Sequence, residues 1–146
     1  MKMVAQFNWA KPKYDLEAPE IEEFVRALDA INLLAESSPG FIWRTKETDS
    51  KDPDREQPLG DEYIANFSMW ETLEDLQNFV YKSGHTFYLK KRNEWFTPEK
   101  YSNVVWYTES SVLTIEECMK ARQELLKNGP SSDFFPLGWK IRKTST

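Results

Sequence analysis

Two short runs of this chain alternate strictly, and they set what it can fold into. From Met3 to Trp9, the side chains of Met3, Ala5, Phe7 and Trp9 point one way and those of Val4, Gln6 and Asn8 the other. From Tyr63 to Trp70, Tyr63, Ala65, Phe67 and Met69 point one way, and Ile64, Asn66, Ser68 and Trp70 the other. A period of two is that of a strand, so both runs are predicted strands with two different faces.

Helical spacing fills the gaps. Pro19 opens a helix in which Ile21, Phe24, Val25, Leu28, Ile31 and Leu34 share a face, and Ser37-Ser38-Pro39-Gly40 ends it. Phe41–Thr45 is a short β-type run, and 48–61 is a polar loop with the length of a mobile flap. Thr72 is an N-cap for a helix carrying Leu73, Leu76, Phe79 and Val80 inward. A second helical stretch holds His85 to Trp95 and stops at Pro98; Asn103–Thr108 is a strand. Thr114 and Glu117 form a capping box for a helix through Met119, Arg122 and Leu126, which Asn128-Gly129-Pro130 terminates. Phe134–Ile141 is strand-like.

The core order is βαββαβ, which predicts an α+β, ferredoxin-like domain over 1–146 with a C-terminal αβ extension at about 112–141. Helices on one sheet face leave the other to be covered. A second copy is the expected cover, giving a homodimer strapped by the extension.

Composition narrows the partners. The formal net charge is −5, from 19 Lys+Arg against 24 Asp+Glu, with no basic stripe, so no nucleic acid is expected. No apolar run reaches the length of a membrane span, and the N-terminus has no secretory apolar core. The single cysteine, Cys118, permits no internal disulfide and reads as a small core residue; a reduced, cytoplasmic setting is expected.

The densest chemistry lies between Phe67 and Phe96, around the only histidine. In a continuous helix Tyr81, His85, Tyr88, Arg92 and Trp95 fall at steps of four, three, four and three, on one face. An imidazole is a competent iron ligand and also titrates near neutrality, so His85 suits either haem ligation or acid–base work. Arg92 suits a clamp on a propionate or a substrate carboxylate. The plain alternative is a half-exposed histidine, a surface cation and three packed rings. No G-x-S-x-G elbow, P-loop or dinucleotide glycine pattern competes.

The segments SPGFIWR, SMWE, FVYKSGH, RNEWF and NGP resemble the bacterial family DUF3291, over about Met1 to Phe135. The resemblance implies the dimeric α/β-barrel superfamily, which includes antibiotic-biosynthesis monooxygenases. The segment holding Trp70, Leu76, Phe79, Tyr81, His85 and Trp95 also resembles spheroidene monooxygenase, a haem-dependent oxygenase; this implies His85 as an axial haem ligand. The chain departs from the DUF3291 pattern at Tyr107–Leu113, where WYTESSVL lacks the usual histidine. Three functions follow as expectations. One is a monooxygenase-like enzyme on an apolar or aromatic substrate, with His85, Arg92 and Tyr81 as catalytic residues and haem held by His85, Arg92, Tyr88 and Trp95. Another is a cofactor-free acid–base enzyme using His85. The third is a binding or assembly module.

Overall fold

The computed structural model describes residues 2–44, 59–60, 62–82, 91–110 and 112–139. Its elements are β1 (Met3–Ala10), a 3-10 turn (Pro19–Ile21), α1 (Glu22–Glu36), β2 (Phe41–Arg44), β3 (Ile64–Trp70), α2 (Leu73–Lys82), β4 (Asn103–Thr108) and α3 (Ile115–Asn128). Residues 91–95 are also helical. The strands form one antiparallel sheet in the order β2-β3-β1-β4, the ferredoxin-like arrangement expected from the sequence. The two N-caps act as read: Asp75 N–H donates to Thr72 Oγ1 at 3.0 Å, and Glu117 N–H to Thr114 Oγ1 at 3.1 Å.

The sheet has two unlike faces. On one, Ala5, Phe7, Trp9, Phe67, Met69, Val104 and Trp106 build a continuous apolar cluster with Leu113, Cys118, Ala121 and Leu125. The sheet side is bulky, so the helix side is small: Cys118 and Ala121 let α3 lie close over the rings of Phe7, Phe67 and Trp106. This corrects the expectation of a bare face. The extension helix covers its β1, β3 and β4 part within the same chain, while Trp43 of β2, opposite Met69, stays 40% exposed. Burial pushes the Cys118 thiol up to about 12, aided by the neighbouring Glu117 charge, so it stays protonated and inert.

Two other readings change. In α1 only the arc Ile21, Phe24, Leu28, Ile31, Ala35 turns inward, and Val25 and Leu34 flank it in solvent. Within its described part, 134–139, the expected last strand is one bridge, Val105–Phe135, because Pro136 has no N–H to continue a ladder and Trp139 N–H turns back to the Pro136 carbonyl at 3.1 Å. The 48–61 flap lies outside the described residues except Leu59 and Gly60. Among the described residues no helix is long and apolar enough to cross a membrane.

Candidate functional site

The second sheet face carries α1 and α2, and its core is split. One apolar cluster joins Val4, Trp70, Val105, Leu76, Ala35 and Phe135; another, at the far end, joins Ile21, Phe24, Trp95 and Phe96 with Ala10 and Ile64 beside it. Register explains the gap. Directly opposed residues of antiparallel strands share a face. Val4 opposes Trp70 and Ala10 opposes Ile64, but between them Gln6 opposes Ser68, and Asn8 opposes both Asn66 and Asn103. A band of four amides and a hydroxyl therefore crosses three adjacent strands, β3, β1 and β4, beneath the helices. Beyond a bulge, β2 adds Arg44 opposite Ser68, its guanidinium held by Glu36 of α1 at 2.9 Å.

Burying neutral polar groups is costly unless they are bonded. Gln6, 5% exposed, is the one buried polar residue among the described residues, whereas Asn8, Asn66, Ser68 and Asn103 keep partial access. Such access in the middle of a helix-covered sheet face defines a candidate cleft. The band is internally ordered. Asn8 Nδ2 donates to Asn66 Oδ1 at 3.0 Å and to Gln6 Oε1 at 3.3 Å. Trp70 Nε1 donates to Ser68 Oγ at 3.1 Å, and the Leu137 backbone N–H to Asn103 Oδ1 at 2.8 Å.

This fixes what remains for a ligand. The side-chain oxygens of Gln6, Asn66 and Asn103 are engaged, which leaves their NH2 groups and the Ser68 O–H as donors and Asn8 Oδ1 as the main acceptor. Arg122 Nε is the single sealed polar atom without a partner among the described residues, so the free donors of the band open on accessible space. The cleft is uncharged and donor-rich at its centre, with aromatic walls from Trp70, Phe79 and Phe41 at one end. Tyr63, whose hydroxyl is pushed up by its bond to Glu99 and by burial, packs with the opposite face and takes no part.

Three of the five residues chosen from helical spacing are described. Tyr81 is 58% exposed near the end of α2, and Arg92 is exposed. Trp95, 3% exposed, is enclosed by Phe24 and Phe96 with ring centroids at 5.6 and 6.3 Å. His85 and Tyr88 lie outside the described residues. Of the haem set, only Arg92 and Trp95 are described, the one exposed and the other packed in the core. Also among the described residues, no group of three or more His, Cys, Asp or Glu is placed to hold a metal ion. Sequence reasoning passed over the amide band. Its signal was there, in polar residues at Gln6, Asn8, Asn66 and Ser68 on the inward side of two alternating strands.

Comparison with solved structures finds the same fold. SnoaB, a cofactor-independent oxygenase from Streptomyces nogalater, aligns over 78% of this chain and 100% of its own with a TM-score of 0.51 at 13% identity. NE2512 of Nitrosomonas europaea, of unknown function, aligns over 78% and 94% with a TM-score of 0.50 at 10% identity. A Nitrosomonas europaea protein classed by inference as an antibiotic biosynthesis monooxygenase aligns over 74% and 89%, with a TM-score of 0.50 at 13% identity. At these identities the likeness is one of fold. No functionally curated protein matches the sequence. The chain belongs to DUF3291, described as a domain of unknown function, whose model matches residues 3–145.

Proposed function

We propose that this chain is a small-molecule enzyme of the monooxygenase-like kind, acting in the amide-lined cleft on an uncharged aromatic substrate that carries a ring carbonyl. The observation that carries this reading is the division of the inner core by Gln6, Asn8, Asn66, Ser68 and Asn103. Neutral donors suit a carbonyl oxygen and favour it more as negative charge gathers there, as when a ring carbon conjugated to the carbonyl loses its proton to give an enolate. An electron-rich enolate can supply the electrons for reaction with oxygen. A ring CH2 then becomes C=O as one O2 is consumed and one H2O leaves. That SnoaB, which shares this fold, is a cofactor-independent oxygenase supports this reading.

Binding is tested with 1,8-dihydroxyanthraquinone, chromone and 1-tetralone, uncharged ring ketones of decreasing size, by calorimetry. At least one is expected to bind the wild type, and Asn66→Leu, which removes a donor and one of the two acceptors of Asn8 Nδ2, is expected to weaken it at least tenfold. No binding of any of the three below millimolar concentration would sink the reading.

We retain His85 as the proposed base, since the described band holds no titratable group. With 1,8-dihydroxyanthrone as reactive probe, His85→Gln is expected to lower oxygen uptake by about 10²-fold or more while leaving ketone binding unchanged. Hemin added to wild type and variant is expected to give the same spectrum. A Soret band that depends on His85 would instead restore the haem reading.

A further inference from the structure

The C-terminal segment crosses the sheet edge on its way to the cleft. After α3, closed by Gly129 at φ 76°, the chain returns along the outer edge of β4. Val105 N–H donates to the Phe135 carbonyl at 2.7 Å, and Phe135 N–H to the Val105 carbonyl at 3.1 Å. Phe134 packs with the α3-covered cluster, while its neighbour Phe135 belongs to the cluster under α2. Leu137 and Trp139 then pack against that second cluster, with the Trp139 ring 5.9 Å from Phe135. Gly138 passes close to Tyr81, where an added Cβ would sit 3.4 Å from the hydroxyl.

What ties this strap to the amide band is Asn103. Its Oδ1 accepts the Leu137 backbone N–H at 2.8 Å, and it faces the cleft directly opposite Asn8. One planar amide therefore serves two partners: its oxygen holds the strap and its NH2 is left for a ligand. We propose that Asn103 is a positioning residue that makes strap docking and ligand binding a single coupled equilibrium, with Phe135–Trp139 as the β4-side wall of the cleft. The coupling has a physical cause. A ligand oxygen accepting from Nδ2 polarises the amide and strengthens Oδ1 as an acceptor, so an occupied cleft grips Leu137 harder. By linkage, a docked strap binds ligand more tightly than a free one. The ligand arm of this proposal rests on the cleft reading above; the strap arm does not.

Two substitutions separate the roles of the amide. Asn103→Asp keeps the oxygen acceptor and removes the NH2; Asn103→Leu removes both. Amide hydrogen exchange of the full chain, resolved by NMR, reads the strap, and calorimetry with 1,8-dihydroxyanthraquinone reads the cleft. Asn103→Leu is expected to speed exchange at Leu137 and Trp139 at least tenfold with α3 unchanged. Asn103→Asp is expected to keep Leu137 protected yet weaken the probe at least tenfold. Saturating probe is expected to slow wild-type exchange at Leu137 about threefold or more. Unchanged strap exchange in Asn103→Leu overturns the proposal. A probe that binds without altering Leu137 overturns the coupling and leaves the cleft reading standing. A probe that fails to bind removes the cleft reading and the coupling with it, and the Asn103→Leu exchange still decides whether this amide holds the strap.

Discussion

Trp70→Ala should lower the free energy of unfolding by about 3–5 kcal/mol, the range for deleting a buried large ring. Trp70 is 1% exposed and joins three elements at one point. Its ring stacks on Phe79 of α2 at 5.1 Å, meets Phe41 of β2 edge-on at 5.5 Å, and opposes Val4 across β1. Alanine leaves a void there, and it strips Ser68 Oγ of the indole N–H bond. Against a usual total of about 5–15 kcal/mol, the variant should sit near the limit of folding, with a melting point roughly 10 °C or more lower. Urea titration gives the number. Trp70→Phe separates packing from polarity, because it keeps a ring against Phe79 and loses the N–H; its cost should be about 1–2 kcal/mol. A loss under about 1.5 kcal/mol for Trp70→Ala would mean that the aromatic end of the cleft is not packed as described.

The strands were plain in the chain because alternation is local. Met3–Trp9 and Tyr63–Trp70 show their two faces in the order of residues alone, and the caps at Thr72 and Thr114 are equally local. The amide band was visible in those same runs, but only as polar residues on one side. That Asn8 meets Asn66 and Asn103 is a fact of register, joining positions 58 and 95 residues apart, and no periodicity reports it. Helical spacing drew attention instead to Tyr81, Arg92 and Trp95, yet spacing says which residues share a stripe and not where the stripe faces. The cover of the other sheet face was hidden for a similar reason. Cys118 and Ala121 are unremarkable on a helix until the bulk of Phe7, Phe67 and Trp106 opposite makes small residues the fitting choice.

Gly40→Val should destabilise the fold by about 3–5 kcal/mol, and Gly40→Ala by about 2–4 kcal/mol, from two separable causes. Gly40 sits at φ 81°, in the left-handed region where a side chain crowds its own backbone. A Cβ built there would also land on the Asp75 carboxylate, in the first turn of α2. The turn has little room to yield. Ser38 Oγ donates to the Leu34 carbonyl at 2.7 Å on one side, and Glu71 N–H donates to the Gly40 carbonyl at 2.7 Å on the other. So the α1–β2 turn and the β3–α2 junction are clamped together at a position that admits only hydrogen. A double-mutant cycle with Asp75→Ala separates the two causes. Removing the carboxylate should recover part of the Gly40→Ala loss, because the overlap with the carboxylate vanishes while the close approach to the Asp75 Cβ and the backbone part remain. Full recovery would show that the left-handed conformation costs nothing here, and no recovery would show that Asp75 does not lie over Gly40.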